Sequence, residues 1–346
     1  MSKIRTGYFF PVLVAALAVL FVFSAIDPAH AQRKSIRWAT SSTGSYGYRI
    51  AAMMVSVLEE ALGGQYTVTV NPYPSTTAAM KATMNGEAEI GYTADVGMEE
   101  VYTGEGAFKD YKPAKSKMVH TWYAYPMESF MAVYAPKAGQ FKSWGDFSGK
   151  PVFFTPAGFM NWLNFKRIYK ALGYQFKHVQ ISEASQGDSL QAGTIVGAVC
   201  YTTAGRSLPS YWRETELRVE IKIINPSADE VKKLTGANLA LTELDATKIF
   251  SKDVGVKTIL GVPLLFAYNM RADMPEDMVY KMLNKFNAER ENLAKADPGF
   301  TPLAQDFVGM QVKGVKAFPD APVHAGLAKF LKENKAWNDK WKIAGK

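Results

Sequence analysis

The sequence predicts an α/β protein with two lobes, each built on a β-α-β-α-β unit, and a helical segment at the carboxyl end. Three observations lead to this prediction. From residue 32 onward, short apolar runs alternate with segments of helical periodicity, and this order occurs twice in tandem. A long apolar strand follows each unit, so we expect the chain to cross between the lobes at residues 131–135 and again near residues 261–267.

The first unit contains three predicted strands and two predicted helices. The helix "YRIAAMMVSVLEEAL" repeats apolar residues at three- and four-residue steps, and the Gly63-Gly64 pair ends it. A second helix, "STTAAMKATMNG", begins at hydroxyl residues that favour a helix cap and ends at Gly86. The predicted strands around these helices are "SIRWATS", "QYTVTVNPY" and "EAEIGYTA".

The second unit repeats that order after a connecting strand, "ESFMAVYAP". Its predicted strands are "PVFF", "FKHVQIS" and "IVGAVCYTTA", and its predicted helices are "NWLNFKRIYKALG" and "ASQGDSLQAG". The strand "TILGVPLLFAYNM" then returns to the first lobe, and helical patterns follow from Pro275. We therefore place lobe 1 at residues 32–133 and 262–346, and lobe 2 at residues 134–261.

The amino terminus has the pattern of a secretory leader. Lys3 and Arg5 precede the apolar run "YFFPVLVAALAVLFVFS", and Ala29-His30-Ala31 supplies small residues for a signal peptidase. We expect cleavage after residue 31 and a mature periplasmic protein, the alternative being an uncleaved membrane anchor. Removal of the leader lowers the formal net charge from +8 to +7.

Polar loops after three predicted strands indicate a ligand site between the lobes. They span residues 40–48, which are rich in hydroxyl and glycine residues, residues 74–77, which carry three hydroxyls, and residues 155–161, which carry Thr155, Gly158 and Asn161. Helix N-termini present unpaired N–H groups and a partial positive charge, which favours a carboxylate or phosphate. Each loop is by itself also consistent with ordinary helix capping. Three loops at the carboxyl ends of strands together predict a cleft for a small anion.

Two further strand ends are expected to reach this cleft. Tyr201 and Thr202 close the last strand of the second unit, where parallel-sheet topology places pocket residues. Asp95 follows the third strand, either to contact a ligand ammonium or to cap the next helix. Tyr92 lies close by in the sequence and either lines the cleft or packs in the core.

Several function classes lack the residues that they require. Gly44 and Gly47 form neither a dinucleotide fingerprint nor a phosphate loop with its lysine. The cleft loops hold no paired carboxylates, no cysteine–histidine pair and no set of metal ligands, and Cys200 is the only cysteine. We therefore predict neither an enzyme nor a cofactor- or metal-dependent protein. The predicted signal peptide disfavours nucleic-acid binding. The absence of any block of like charges in the sequence disfavours it as well.

Several blocks resemble the TAXI family, the solute-binding proteins of tripartite ATP-independent periplasmic (TRAP) transporters. The opening block "SSTGSYGYRIAAMM" is similar to that family's TGG-x-YY-x-x-G motif, and "PSTTAAMKATMNGEAEIGYTADV" is similar to its second block. Further similar segments follow in the same order: "AYPMESFMAVYA", "FSGKPVFF", "INPSADEVKKL" and "APVHAGLAKFLKE". The resemblance covers most of the chain after the leader.

The resemblance implies a type II periplasmic-binding-protein-like fold. The protein would act as a monomeric receptor that closes over a small organic anion or amino acid and delivers it to a TRAP-type permease. The residues that match the family's binding loops are Thr43, Gly44, Ser45 and Tyr46, then Ser75, Thr76 and Thr77, then Thr93 to Asp95, and finally Gly158. A sensory receptor and, less favoured, an enzyme on the same scaffold remain alternatives.

One turn departs from the family pattern. Phe159, Met160 and Asn161 stand where the family has a Ser-Gly-Thr turn, and only Asn161 keeps a polar cap. If the two apolar side chains face the cleft, the solute is an anion with a larger or more apolar far end than glutamate. The alternative is that Phe159 and Met160 point into the lobe core.

Overall fold

The computed structural model describes residues 33–345, and the predicted leader therefore lies outside the described residues. Within this range the strands are β1 Lys34–Thr40, β2 Tyr66–Pro72, β3 Ile90–Ala94, β4 Met118–Val119, β5 Tyr123–Tyr134, β6 Val152–Phe153, β7 Gly197–Thr203, β8 Ile221–Ile224, β9 Thr242–Asp245 and β10 Thr258–Arg271. The first β-α-β-α-β unit is present as predicted, because both helices and all three strands occur at the expected places.

The α-helices of the described residues are α1 Tyr46–Ala61, α2 Thr76–Asn85, α3 Asp95–Thr103, α4 Met160–Leu172, α5 Gln186–Ala192, α6 Ser210–Arg218, α7 Ala228–Gly236, α8 Ala246–Ile249, α9 Glu276–Ala288, α10 Arg290–Ala296, α11 Thr301–Gln305, α12 Phe307–Ala317 and α13 Ala325–Glu333. Short 3₁₀ turns join them. None of these helices combines the length and apolarity that crossing a bilayer requires.

One curled sheet carries both lobes in the order β2-β1-β3-β10-β5-β7-β6. β1 and β3 are parallel, as are β6 and β7, whereas β10 and β5 are antiparallel to each other at the centre. The short strands β4 and β9 pair with β10, and β8 pairs with β5. The parallel edges therefore belong to the two βα units, and the long antiparallel pair joins them.

Buried apolar side chains form two large clusters that share β5 and β10. On β5, Met127 belongs to the first cluster and Phe130 to the second. On β10, Val262 belongs to the second cluster and Leu264 to the first. The chain thus changes core near the middle of each long strand, and the predicted two-lobed α/β architecture is confirmed. The lobe boundaries proposed from the sequence stay a prediction.

The predicted strand "FKHVQIS" was wrong. This segment makes a single bridge, between Val152 and His178, because β6 beside it is only two residues long. The imidazole Nδ1 of His178 lies 3.4 Å from the Phe154 backbone nitrogen and takes the N–H that a longer ladder would use. The sequence patterns also did not predict α3, α6, α7, α8, β4, β8 and β9.

Candidate functional site

Three helix N-termini meet between the lobes. The Ser45 hydroxyl caps α1 by accepting the Tyr48 N–H at 3.1 Å, and the Ser75 hydroxyl caps α2 by accepting the Ala78 N–H at 3.1 Å. α4 begins after Phe159, whose side chain makes no capping bond. Both serines therefore act as ordinary helix caps. Each hydroxyl can still donate its own hydrogen to another acceptor, such as a ligand oxygen.

These N-termini line a narrow cavity. The cavity has a free volume of about 20 Å³, which is room for about one water molecule. Seven residues that the sequence predicted for the site line it: Gly44, Ser45, Tyr46, Thr76, Phe159, Asn161 and Tyr201. The side chains of the two lobes therefore leave little free space at this cavity.

Three more predicted residues pack directly on one another beside the cavity. The backbone N–H and the hydroxyl of Thr77 both donate to the Gly158 carbonyl, at 3.1 and 2.9 Å. Gly158 has φ +84°, and a Cβ there would lie 3.0 Å from the Ser75 hydroxyl oxygen. This contact joins the α2 end of the first lobe to the loop that precedes α4.

The structure places four predicted residues away from the cavity lining. Thr43 is exposed, and the buried hydroxyl of Thr93 points at the sulfur of Met80 at 3.1 Å. A carboxylate oxygen of Asp95 forms an ion pair with a guanidinium nitrogen of Arg167 at 3.0 Å. The Thr202 hydroxyl donates to a carboxylate oxygen of Glu128 at 2.6 Å, away from the face of β7 that carries Tyr201.

Apolar side chains occupy the turn that departs from the TAXI pattern. Phe159 lines the cavity, whereas Met160 both lines it and belongs to the first core, with its sulfur close to Gly97. The amide oxygen of Asn161 accepts the Ser129 hydroxyl at 2.7 Å. Of the two alternatives for this turn, cleft lining applies to Phe159. Met160 combines cleft lining with packing in the core.

Tyr46 is held by the carboxyl-terminal part of the chain. Its hydroxyl donates to Asp297 Oδ1 at 2.7 Å, and Arg49 pairs with Asp297 at 2.8 Å. The Arg49 guanidinium also lies 4.8 Å from the Tyr46 ring centre. Burial and the Asp297 carboxylate raise the pKa of Tyr46 well above its ordinary value, so the phenol stays neutral.

Sequence reasoning did not select the other side chains of the cavity. They are Ser41, Tyr92, Met127, Met160, Glu183, Pro209, Tyr211 and Phe266. Tyr92 is fixed by the Tyr125 hydroxyl, which donates to it at 2.9 Å, and its ring stacks on Phe266 at 5.0 Å. Ser41 belongs to the first polar loop, Met127 to a segment similar to the TAXI family, and Phe266 to the predicted return strand, whereas Glu183, Pro209 and Tyr211 come from segments with no motif signal.

Glu183 is the acidic residue of the cavity. Burial raises the pKa of Glu183 to about 7, and the neighbouring Tyr211 hydroxyl offsets part of that rise. No lysine, arginine or histidine is among the residues that line the cavity. The buried hydroxyls of Ser41 and Tyr211 make no hydrogen bond of standard geometry. Within residues 33–345, no group of three or more acidic, histidine or cysteine side chains is placed to hold a metal ion.

Comparison with known proteins gives a family for this chain. The profile of the NMT1-like family matches residues 38–334. No curated protein matches the sequence. Among solved structures, the periplasmic aliphatic sulphonate binding protein SsuA from Escherichia coli is similar at 13% identity and TM-score 0.45, over 90% of this chain and 96% of that one. A structure from the study of glutathione import by GshT in Streptococcus mutans is similar at 14% identity and TM-score 0.46, over 77% and 95% of the two chains.

Proposed function

The chain belongs to the NMT1-like family, and on that premise we propose that it is an extracytoplasmic solute-binding receptor without catalytic activity. It captures a small carboxylate-bearing solute, an organic anion or an amino acid, in the cavity between its lobes. It then delivers the solute to a membrane permease. The TAXI-like motifs favour a TRAP-type permease as that partner, and the leader-like amino terminus favours a periplasmic location.

The meeting of three helix N-termini at one cavity between the lobes carries this proposal. α1, α2 and α4 each present N–H groups without an intrahelical partner at Tyr46, Thr76 and Met160. Their partial positive charges add to one another at this cavity. A carboxylate held there is stabilised without a lysine or arginine, and the apolar wall at Phe159 accommodates the rest of the solute.

Opening and closing of the lobes follows from the two shared strands. Because β5 and β10 run through both cores, a bend near Met127 and Leu264 separates the lobes without breaking either core. The Thr77–Gly158 hydrogen bonds and the Asp95–Arg167 ion pair connect the lobes in the closed form. A solute shifts the equilibrium toward the closed form only to the extent that it binds the closed form more tightly than the open form.

The test is a binding panel of organic acids and amino acids. A solute at about 100 times its Kd raises the free energy of unfolding by roughly 2.7 kcal/mol, which a thermal-shift assay detects. Solution scattering should show a smaller radius of gyration after the same addition. If every compound leaves both the melting temperature and the radius unchanged, the proposal is contradicted.

Matched variants locate the site. Thr76→Val removes a hydroxyl from the cavity lining but keeps the side-chain shape, and it should weaken binding by about 1.5–3 kcal/mol if that hydroxyl donates to a carboxylate. Thr43→Val makes the same change on an exposed residue outside the cavity and should leave the Kd unchanged. Equal effects of the two variants in titration calorimetry would move the site elsewhere.

A further inference from the structure

We propose that Glu183 is the counter-ion for an ammonium group on the solute, so that the receptor takes an amino acid with an apolar side chain rather than a simple organic anion. This inference rests on the proposed function and names its substrate class. Glu183 lies in the 3₁₀ turn Glu183–Ser185 and lines the same cavity as the three helix N-termini. It brings a carboxyl group to a space whose lining residues include no basic side chain.

The charges of the cavity match a zwitterion. The helix N-termini favour one carboxylate, and Glu183 opposes a second one because no lysine or arginine in the lining would compensate the two negative groups. A dicarboxylate would therefore meet repulsion at the Glu183 end. An ammonium group at that end instead forms an ion pair with the Glu183 carboxylate.

Aromatic rings and hydroxyls complete a site for an ammonium. Tyr201 and Tyr211 line the cavity, and the electron-rich face of a tyrosine ring attracts a cation. The side chain of Ser41 is fully buried, and its hydroxyl has no hydrogen-bond partner among the described residues. A bound ammonium has three N–H donors, which suit the Glu183 carboxylate and the Ser41 oxygen.

The other acid proposed for this role is already occupied. The sequence left two alternatives for Asp95, contact with a ligand ammonium or capping of the next helix, but its carboxylate accepts the Leu265 N–H at 2.7 Å and pairs with Arg167 at 3.0 Å. Glu183 makes no comparable ion pair with any residue that the structure describes. We therefore assign the role of ammonium counter-ion to Glu183 in the second lobe rather than to Asp95 after β3.

Glu183 also gives the binding reaction a distinctive pH dependence. The pKa of Glu183 is about 7, and it is surrounded by Tyr201 and Tyr211, which stay neutral because burial raises their pKa values. Arg218, on the neighbouring helix α6, pairs with Asp188 at 4.0 Å on the surface instead. An ammonium stabilises the charged carboxylate and expels its proton, so affinity rises as the pH increases through 7. A solute with negative charge only would show the opposite trend.

The experiment compares three pairs that differ by the amino group: glutamate with glutarate, leucine with 4-methylpentanoate, and phenylalanine with 3-phenylpropionate. Calorimetry at pH 5.5 and pH 8 gives each Kd, and titration at pH 7 in buffers of different ionisation enthalpy gives the protons exchanged. We expect leucine or phenylalanine to bind at least tenfold more tightly than its deaminated partner. Binding at pH 7 should release up to about half a proton.

Glu183→Gln keeps the shape of the side chain and removes its charge. It should weaken amino-acid binding at least tenfold at pH 8 and abolish both the proton release and the pH dependence. Asp188→Asn is the matched control, since it neutralises an exposed acid five residues along the chain, and it should change neither quantity. Circular dichroism and melting of the unliganded variants confirm folding.

The outcomes separate the two proposals. If a deaminated acid binds as tightly as its amino acid, or if Glu183→Gln leaves amino-acid affinity and proton release unchanged, the ammonium site is overturned while the receptor function stands. If no compound of either series binds the wild-type protein, the proposed function fails and the inference falls with it.

Discussion

Replacing Arg167 with glutamine removes one partner of an ion pair that connects the lobes outside the cavity. The guanidinium on α4 pairs with Asp95 at 3.0 Å, and its Nε donates to the Asn164 amide oxygen at 2.8 Å. Asp95 stands at the start of α3 in the first lobe. The pair therefore contributes to the closed form more than to the open form, although neither residue lines the cavity.

The magnitude follows from burial. Coulomb attraction of two unit charges at 3.0 Å is roughly 5 kcal/mol at an effective dielectric constant of 20, before the cost of desolvation. The side chains of Arg167 and Asp95 are 18% and 8% exposed, which is more shielded than a surface pair. Losing the guanidinium should cost about 2 kcal/mol in the closed form, because Asp95 keeps its bond from the Leu265 N–H. That cost corresponds to roughly a thirtyfold shift toward the open form.

Calorimetry and solution scattering test this estimate together. Arg167→Gln should weaken solute binding by about ten- to thirtyfold and enlarge the radius of gyration of the unliganded protein. Lys170→Gln on the same helix is the matched control, because its pair with Glu105 is exposed on both sides and should change the Kd less than about twofold. A Kd for Arg167→Gln within twofold of the wild-type value would show that this ion pair does not favour the closed form.

Three further changes probe the supports of the site. Tyr46→Phe removes the hydrogen bond to the buried Asp297 carboxylate and should lower the free energy of unfolding by about 1.5–3 kcal/mol in urea titration; an unchanged midpoint would contradict this. Gly158→Ala places a Cβ 3.0 Å from the Ser75 hydroxyl oxygen at φ +84°, and should cost about 1–3 kcal/mol in the same assay, whereas equal or higher stability would show that the loop relaxes. His120 is buried and its pKa is lowered to about 4, so the unfolded chain binds a proton first as the pH falls. Stability should therefore decline by up to about 3 kcal/mol between pH 6.5 and pH 4, and His120→Gln should flatten that decline; a variant with the wild-type slope would assign it to other groups.

The first lobe was predictable because its local signals agree with the tertiary structure. The helix that contains Ile50 and Met54 buries both residues on one face, and Gly86 ends α2 in the left-handed conformation that glycine favours. In the second lobe the pattern was weaker. α7 carries a capping box of Ser227 and Glu230 that the sequence contains but that was not used.

The candidate site was predictable where helices begin and unpredictable elsewhere. Ser45 and Thr76 follow strands of a recognisable unit, so topology alone brings them to the same edge. Glu183 and Tyr211 lie in a short 3₁₀ turn and a polar helix, and no local pattern tells which face they present. Asp95 illustrates the opposite case, because a strand-end acid suited to a ligand is taken by Arg167 from another lobe, a contact that only packing reveals.

Native mass spectrometry of the protein purified from cells shows whether a solute occupies the cavity between the lobes. We predict a 1:1 adduct with a small solute that is lost on unfolding. The adduct should be absent from Thr76→Trp, which fills the cavity, and present in Thr43→Trp, which makes the same change on an exposed residue. An adduct retained by Thr76→Trp would show that the solute is held outside the cavity between the lobes and would contradict the account.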